Sequence, residues 1–307
     1  MDLSVNFAGL RLKNPILTAS GTFGFGTEFL DYGDIATLGG IVAKGLSLKP
    51  RAGNPMPRIA ETACGMLNAI GIQNPGAEAF VRGVLPRLPW RETAVVANLY
   101  ACDPGEYGEL AAVLAAEPGV AALEVNVSCP NVKAGGVLFG QNPHMITAVT
   151  EAVKRSAGTK PVLVKLSPNV TSIADCARAA AAGGADGLSL INTLSGMAVD
   201  IRTRRPRLAN VVGGLSGPAI KPVALRCVWE AVRAVSIPVM GIGGIASAED
   251  VLEFLLVGAS AVQVGTATFT RPDLVFGLPG RVAALLAELG AASLDEWRGS
   301  LRLPEPA

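Results

Sequence analysis

The stretch "PVLVKLSPNVTSIADCARAAAAGGADGLSLIN" (161–192) decides the fold. It begins and ends on short apolar runs, 161–166 and 187–192, and the segment between them reads as a helix. Strands joined by a crossover helix run parallel. The same alternation continues in both directions, with further strands expected at 15–20, 40–44, 93–98, 122–127, 237–242 and 260–265. That makes eight.

Helix signals lie between them. Residues 77, 80, 81, 84, 85 and 88 are apolar at helical spacing. Asp103-Pro104 and Asn142-Pro143 each look like an N-cap followed by proline at the first helical position. "SAED" (247–250) resembles a capping box with aspartate in its last place. Eight strands and about as many helices in 307 residues match an α/β fold of the (β/α)8 TIM-barrel type. A doubly wound open sheet is the alternative. "LSVNFAGLRLKN" (3–14) reads as an N-terminal hairpin covering the bottom of the barrel. The connections 45–75 and 193–217, after strands 2 and 6, are long, and long loops in compact domains are usually functional. With no repeat and no linker, a single domain over 1–307 is expected.

Composition narrows the function. The chain is 50% hydrophobic and 17% charged, with net charge +1 and 5% aromatic residues, which suits a soluble globular protein and shows neither a nucleic-acid footprint nor a membrane-surface stripe. No apolar run is long enough to span a bilayer, and "MDLSVNFAGL" lacks the features of a signal peptide, so a cytoplasmic location is expected. The sequons at Asn126 and Asn169 are then chance matches. Cysteines 64, 102, 129, 176 and 227 form an odd set with no C-x-x-C pair, which argues against a disulfide framework, a zinc site or an iron–sulfur cluster held by this chain. Cys64, Cys102, Cys176 and Cys227 read as small buried apolar residues, the last two inside helices. The lone histidine, His144, reads as a surface residue near a helix start, and no metal site is expected.

In a barrel of this kind chemistry gathers where strands end. Those ends carry Ser20, Lys44, Asn98, Asn126 with Cys129 just beyond, Lys165, Asn192-Thr193, Gly243-Gly244 and Gly265-Thr266. Polar residues often close strands, so any one of these means little. Two lysines in or beside apolar strands mean more, because burying an ammonium is costly without a partner; Lys44 and Lys165 are expected to face a ligand. "GIGGIA" (241–246) fits G-x-G-x-x-G/A, but the acid expected about 20 residues on is missing from "AVQVGTA" (261–267). A phosphate pocket after strands 7 and 8 is the better reading. No G-x-S-x-G, Walker A or H-E-x-x-H motif occurs. Cys129 stands apart from the other cysteines: it lies on the same rim as the lysines, where a thiol can serve as nucleophile or base.

Taken together, "NVSCPNVKAGG" (126–136), "NAIGIQNPG" (68–76), "INTLSGMAVDIRTRRPRLAN" (191–210), "GGLSGPAIKP" (213–222), "GIGGI" (241–245) and "VGTA" (264–267) resemble the dihydroorotate dehydrogenases, more narrowly the catalytic subunits of their class 1B, NAD-linked branch. The resemblance runs from about residue 3 to 270. It implies FMN in the barrel mouth and oxidation of dihydroorotate to orotate in pyrimidine synthesis. Cys129 is then the base that takes the C5 proton while the C6 hydride leaves for flavin N5. Ser20, Lys44, Gly45, Asn98, Asn126, Lys165, Ile191, Gly217, Gly243, Gly244, Gly265 and Thr266 would hold FMN. Lys44, the run Asn68, Ala69, Ile70, Gly71 and Ile72, together with Asn126, Asn192 and Thr193, would hold the substrate. Lys165 would stabilise reduced FMN, and Lys44 would attract the substrate carboxylate. A partner subunit carrying FAD and a 2Fe–2S cluster would pass electrons to NAD, in a heterotetramer of two catalytic and two electron-transfer chains built on a catalytic homodimer. A fumarate-linked class 1A enzyme, another flavin barrel acting on a dihydropyrimidine, a non-flavin phosphate-binding barrel and a non-catalytic scaffold are the alternatives.

Overall fold

A computed structural model of the chain describes residues 1–128 and 139–304. Eight strands close into an all-parallel barrel: β1 (Ile16–Thr18), β2 (Gly40–Val42), β3 (Ala94–Leu99), β4 (Ala122–Asn126), β5 (Val162–Leu166), β6 (Gly187–Leu190), β7 (Val239–Ile242) and β8 (Ala261–Val264). Each lies within or overlaps a stretch expected from the sequence, and β8 pairs with β1 to complete the ring. The open-sheet alternative is thereby excluded. The strands are buried on both faces, hence their Val/Ile/Leu-rich runs.

The helices start where their caps direct. The Asp103 carboxylate accepts from Glu106 N at 3.0 Å ahead of helix Pro104–Ala115. Asn142 Oδ1 accepts from His144 N at 2.9 Å ahead of helix Pro143–Ser156, leaving His144 exposed. Ser247 Oγ accepts from Asp250 N at 3.3 Å, while the Asp250 carboxylate reaches back to Ala246 N at 2.7 Å, one residue earlier than in a regular capping box. The helical stretch expected over 77–88 is present but irregular. It breaks into Ala77–Ala79, a widened turn Phe80–Val84 and a tight turn Leu85–Arg87, because Pro86 has no N–H to continue the ladder.

Two cysteines depart from expectation. Cys176 and Cys227 are buried inside helices Ile173–Ala182 and Lys221–Ala234, and burial pushes both thiols up. Cys64 and Cys102 are exposed. Both sit in turns, Cys64 between paired strands and Cys102 just before a helix, so neither is carried into the core.

The two long connections do not stay loops. Ile59–Thr62 and Gly65–Asn68 form a hairpin, and Gly65–Asn68 pairs with Val212–Ser216, which pairs in turn with Leu194–Met197. Each connection alone would leave a row of unpaired backbone groups; together they satisfy one another across the barrel mouth. At the opposite end the N-terminal hairpin, Val5–Phe7 with Leu10–Leu12, inserts Phe7 as a fully buried plug. Its ring lies 3.2 Å from where a Cβ on Gly187, the first residue of β6, would stand. Among the described residues no helix is long and apolar enough to cross a membrane.

Phe7→Ala should destabilise the chain by about 3–5 kcal/mol, the range for emptying a buried aromatic site. Denaturant unfolding checks this, and a loss below about 1 kcal/mol would show that the plug is dispensable.

Candidate active site

The alternation of side chains along a strand sends Glu124 and Asn126 of β4 to the same face, and that face is the barrel interior. Adjacent strands bring their own polar residues into register: Asn98 beside Glu124, and Lys165 beside both Asn126 and Ser189. Glu124 is fully buried. Its Oε1 accepts from Ser189 Oγ at 2.7 Å and Gln263 Nε2 at 2.6 Å, and its Oε2 accepts from Asn98 Nδ2 at 2.6 Å. Lys165 Nζ lies 3.8 Å from the same Oε2.

Above this layer, among the described residues, two cavities of the mouth gather the expected contacts. The first, of about 720 Å³, is of a size typical of small-molecule sites and is lined by Ser20, Lys165, Ile191, Gly217, Gly243, Gly244, Gly265 and Thr266, all expected as cofactor contacts. The second, of about 360 Å³, is lined by Asn68, Ala69, Ile70, Gly71, Ile72, Asn126, Asn192 and Thr193, all expected as substrate contacts. Asn192 and Thr193 line both, so the two cavities share a wall. Lys44, Gly45 and Asn98 line neither. Cys129 lies outside the described residues.

The glycines of the first cavity are required by their backbone. Gly243 and Gly244 have φ of 126° and 76°, and a Cβ on Gly244 would stand 2.7 Å from Lys221 Cβ at the start of helix Lys221–Ala234. Only glycine suits that conformation and that approach. The helix start is braced from behind by Lys221 Nζ, 2.6 Å from Asp250 Oδ1 and 2.8 Å from Glu253 Oε2. Across the cavity, Thr266 Oγ1 donates to Ser216 Oγ at 2.8 Å, tying the β8 end to the antiparallel sheet.

The second cavity is built from amides held by amides. Asn192 Nδ2 donates to Asn126 Oδ1 at 3.2 Å, and Ser128 N donates to the same oxygen at 3.2 Å. The stretch 68–72 is clamped by Asn54, whose N donates to Ile70 O and whose Nδ2 donates to Ala69 O, both at 2.9 Å. Asn169 secures the other side, its Nδ2 donating to Thr193 O and its Oδ1 accepting from Ser195 N, both at 2.9 Å. Far from being only a chance sequon, Asn169 shapes this wall.

A flavin is tested by what these residues leave open. The Lys165 ammonium lines the first cavity together with the glycine cradle, and just behind that layer Asn98 Oδ1 and Gln263 Oε1 have no hydrogen-bond partner among the described residues. A cation and open glycine backbone in the wall fit a ligand that brings a phosphate and a ring able to take up negative charge. The residues present fit FMN.

Sequence reading overlooked Glu124, Ser189 and Gln263. The signal was present: "ALEVNV", "GLSLIN" and "AVQVG" each carry one polar side chain inside an apolar strand, and the burial argument applied to the lysines applies equally to them.

Comparison with known proteins adds an independent line. The dihydroorotate dehydrogenase family profile matches residues 2–282. The "dihydroorotate dehydrogenase B (NAD(+)), catalytic subunit" of Maridesulfovibrio salexigens is 69% identical, over 99% of this chain and 100% of its own length. Proteins of the same name from Solidesulfovibrio magneticus and Geotalea daltonii are 68% and 55% identical, over 99% and 98% of this chain and 99% of each relative.

Lys44 supplies a test of site electrostatics. Burial, reinforced by Arg58 and opposed by Glu28, holds its ammonium below lysine's usual range. Because the folded value is the lower one, the charged form burdens the folded state at every pH below it, and the burden fades as pH rises through it. Lys44→Met should therefore stabilise the ligand-free chain at neutral pH, with a gain that shrinks as the pH is raised towards the usual lysine value of about 10.4. Urea unfolding at several pH values measures this; a destabilised variant, or a gain independent of pH, would contradict it.

Proposed function

The chain belongs to the dihydroorotate dehydrogenase family, and from that membership we infer that it is an oxidoreductase, the catalytic subunit of an NAD-linked enzyme that oxidises dihydroorotate to orotate in pyrimidine biosynthesis. One observation carries the reading into the structure. Two cavities, one with a glycine cradle and a lysine, the other lined by asparagines, share Asn192 and Thr193 as a common wall. Passing hydride from one ligand to another requires the two to lie in contact, and a shared wall supports that arrangement.

FMN is the cofactor of the first cavity. When bound it supplies the two-electron acceptor for the C6 hydride of the substrate. Gly243, Gly244, Gly265 and Thr266 would hold its phosphate end and Lys165 its ring, with Asn98 behind Lys165. Ser20, Lys44, Gly45, Asn126, Ile191 and Gly217 complete the cofactor contacts. In the second cavity Asn68, Asn126 and Asn192 offer donors and acceptors together, matching a cyclic imide that displays both. The run 68–72 and Thr193 close round it, and Lys44 draws the carboxylate.

Cys129, three residues beyond the end of β4 in the sequence, acts as the base. It accepts the C5 proton as the C6 hydride departs, and the electron pair of the C5–H bond becomes the C5=C6 double bond of orotate. A free thiol titrates near pH 8.5, close enough to neutrality for this work. Electrons leave through a separate subunit, as the relatives' designation "catalytic subunit" suggests for them. That partner carries FAD and a 2Fe–2S cluster and reduces NAD, in a heterotetramer on a catalytic homodimer. The assembly is cytoplasmic.

Cys129→Ala should leave FMN bound while slowing its anaerobic reduction by dihydroorotate by about 10²–10⁴-fold, the contribution of a positioned base. Stopped-flow absorbance reports both quantities. Flavin reduction at a near-normal rate in the variant would remove Cys129 from the mechanism.

A further inference from the structure

Barrel interiors of this type are ordinarily filled by apolar side chains, so a fully buried carboxylate at the centre requires a reason. Both Glu124 oxygens are engaged: Ser189 and Gln263 donate to Oε1, and Asn98 donates to Oε2 opposite Lys165. These partners come from four different strands. The consequence lies at Asn98. With its Nδ2 committed to Glu124 at 2.6 Å, its amide can turn only one way, and Oδ1 is left buried and without a partner among the described residues. That oxygen stands 3.1 Å from where a Cβ on Gly45 would be, at the mouth end of β2. Leaving a buried acceptor unpaired is costly.

We propose that Glu124 is the positioning residue of the cofactor site: it anchors Lys165 at the cavity wall and fixes the orientation of the Asn98 amide behind that wall. The inference rests on the reading of that cavity as an FMN site. Glu124 lines neither cavity; it acts through Lys165, which lines the first, and through the Asn98 amide packed behind it.

A double-mutant cycle on FMN binding tests it, with free FMN titrated into the FMN-depleted full-length chain and flavin fluorescence as the readout. In Glu124→Gln the new amide nitrogen meets an N–H unless Asn98 or Gln263 turns its own amide to accept, which reverses what that amide offers on its other side, and the charge opposite Lys165 is lost. In Asn98→Asp two carboxylates meet. Each single variant should weaken FMN binding by about ten-fold or more, the value of a charge-assisted hydrogen bond. Combined, the two substitutions exchange donor and acceptor, keep an acceptor at position 98 and restore the net charge. The double variant should therefore bind within about three-fold of wild type, a non-additive recovery that a merely structural role does not produce.

Additive losses, or a Glu124→Gln chain that binds FMN as wild type does, would overturn the proposal. If the single variants fail to fold, a double variant that folds and binds FMN supports it. A double variant that fails to fold assigns Glu124 to the fold alone and overturns it. A wild-type chain that takes up no FMN would instead strike the flavin reading itself, and this inference with it.

Discussion

One buried carboxylate organises the interior of this barrel. Moving an ionised group out of water costs several kcal/mol even after relaxation, and Glu124 meets that cost with three short hydrogen bonds and a lysine. Because its partners lie on β3, β5, β6 and β8, the interaction is a statement about the whole ring. The strands must close in the observed register for Asn98, Lys165, Ser189 and Gln263 to converge on it. Polar satisfaction and barrel closure are thus the same constraint seen from inside and from outside.

The mouth is constructed on top of that layer. Asn126, two residues along β4 from Glu124, begins the asparagine-lined cavity, and Lys165, facing Glu124, ends at the glycine-lined one. The walls come from the long connections after β2 and β6, which pair into one antiparallel sheet and so become rigid enough to hold ligand contacts. Asn54 and Asn169, which themselves line the second cavity, pin the two loops by bonds to main-chain atoms. Catalytic positioning therefore rests on secondary structure made between distant segments and on short-range asparagine clamps.

Much of this could be read in the chain itself. Short Val/Ile/Leu-rich runs separated by capped helical stretches announce a parallel barrel, and local chemistry at Asp103-Pro104, Asn142-Pro143 and Ser247 marks where helices begin. Strand ends named most of the cavity lining, since chain direction alone places them on one rim. What escaped has a physical reason in each case. The pairing of Met66–Asn68 with Gly214–Ser216 joins residues some 150 positions apart, beyond any local pattern. Cys64 and Cys102 looked like core residues by type, but turns expose whatever they carry. Glu124 was hidden by its neighbours: a single acid in an apolar strand reads as a solvent-facing exception until the converging donors are seen.

The claim on which the rest depends is that a flavin and a dihydropyrimidine carboxylate meet across the wall formed by Asn192 and Thr193. Anaerobic titration of the purified chain with dihydroorotate addresses it most directly, following the visible flavin absorbance and orotate formation together. The account predicts a yellow protein that bleaches as dihydroorotate is added, with orotate appearing in step with reduced flavin. A flavin that stays oxidised in the presence of excess dihydroorotate would contradict it.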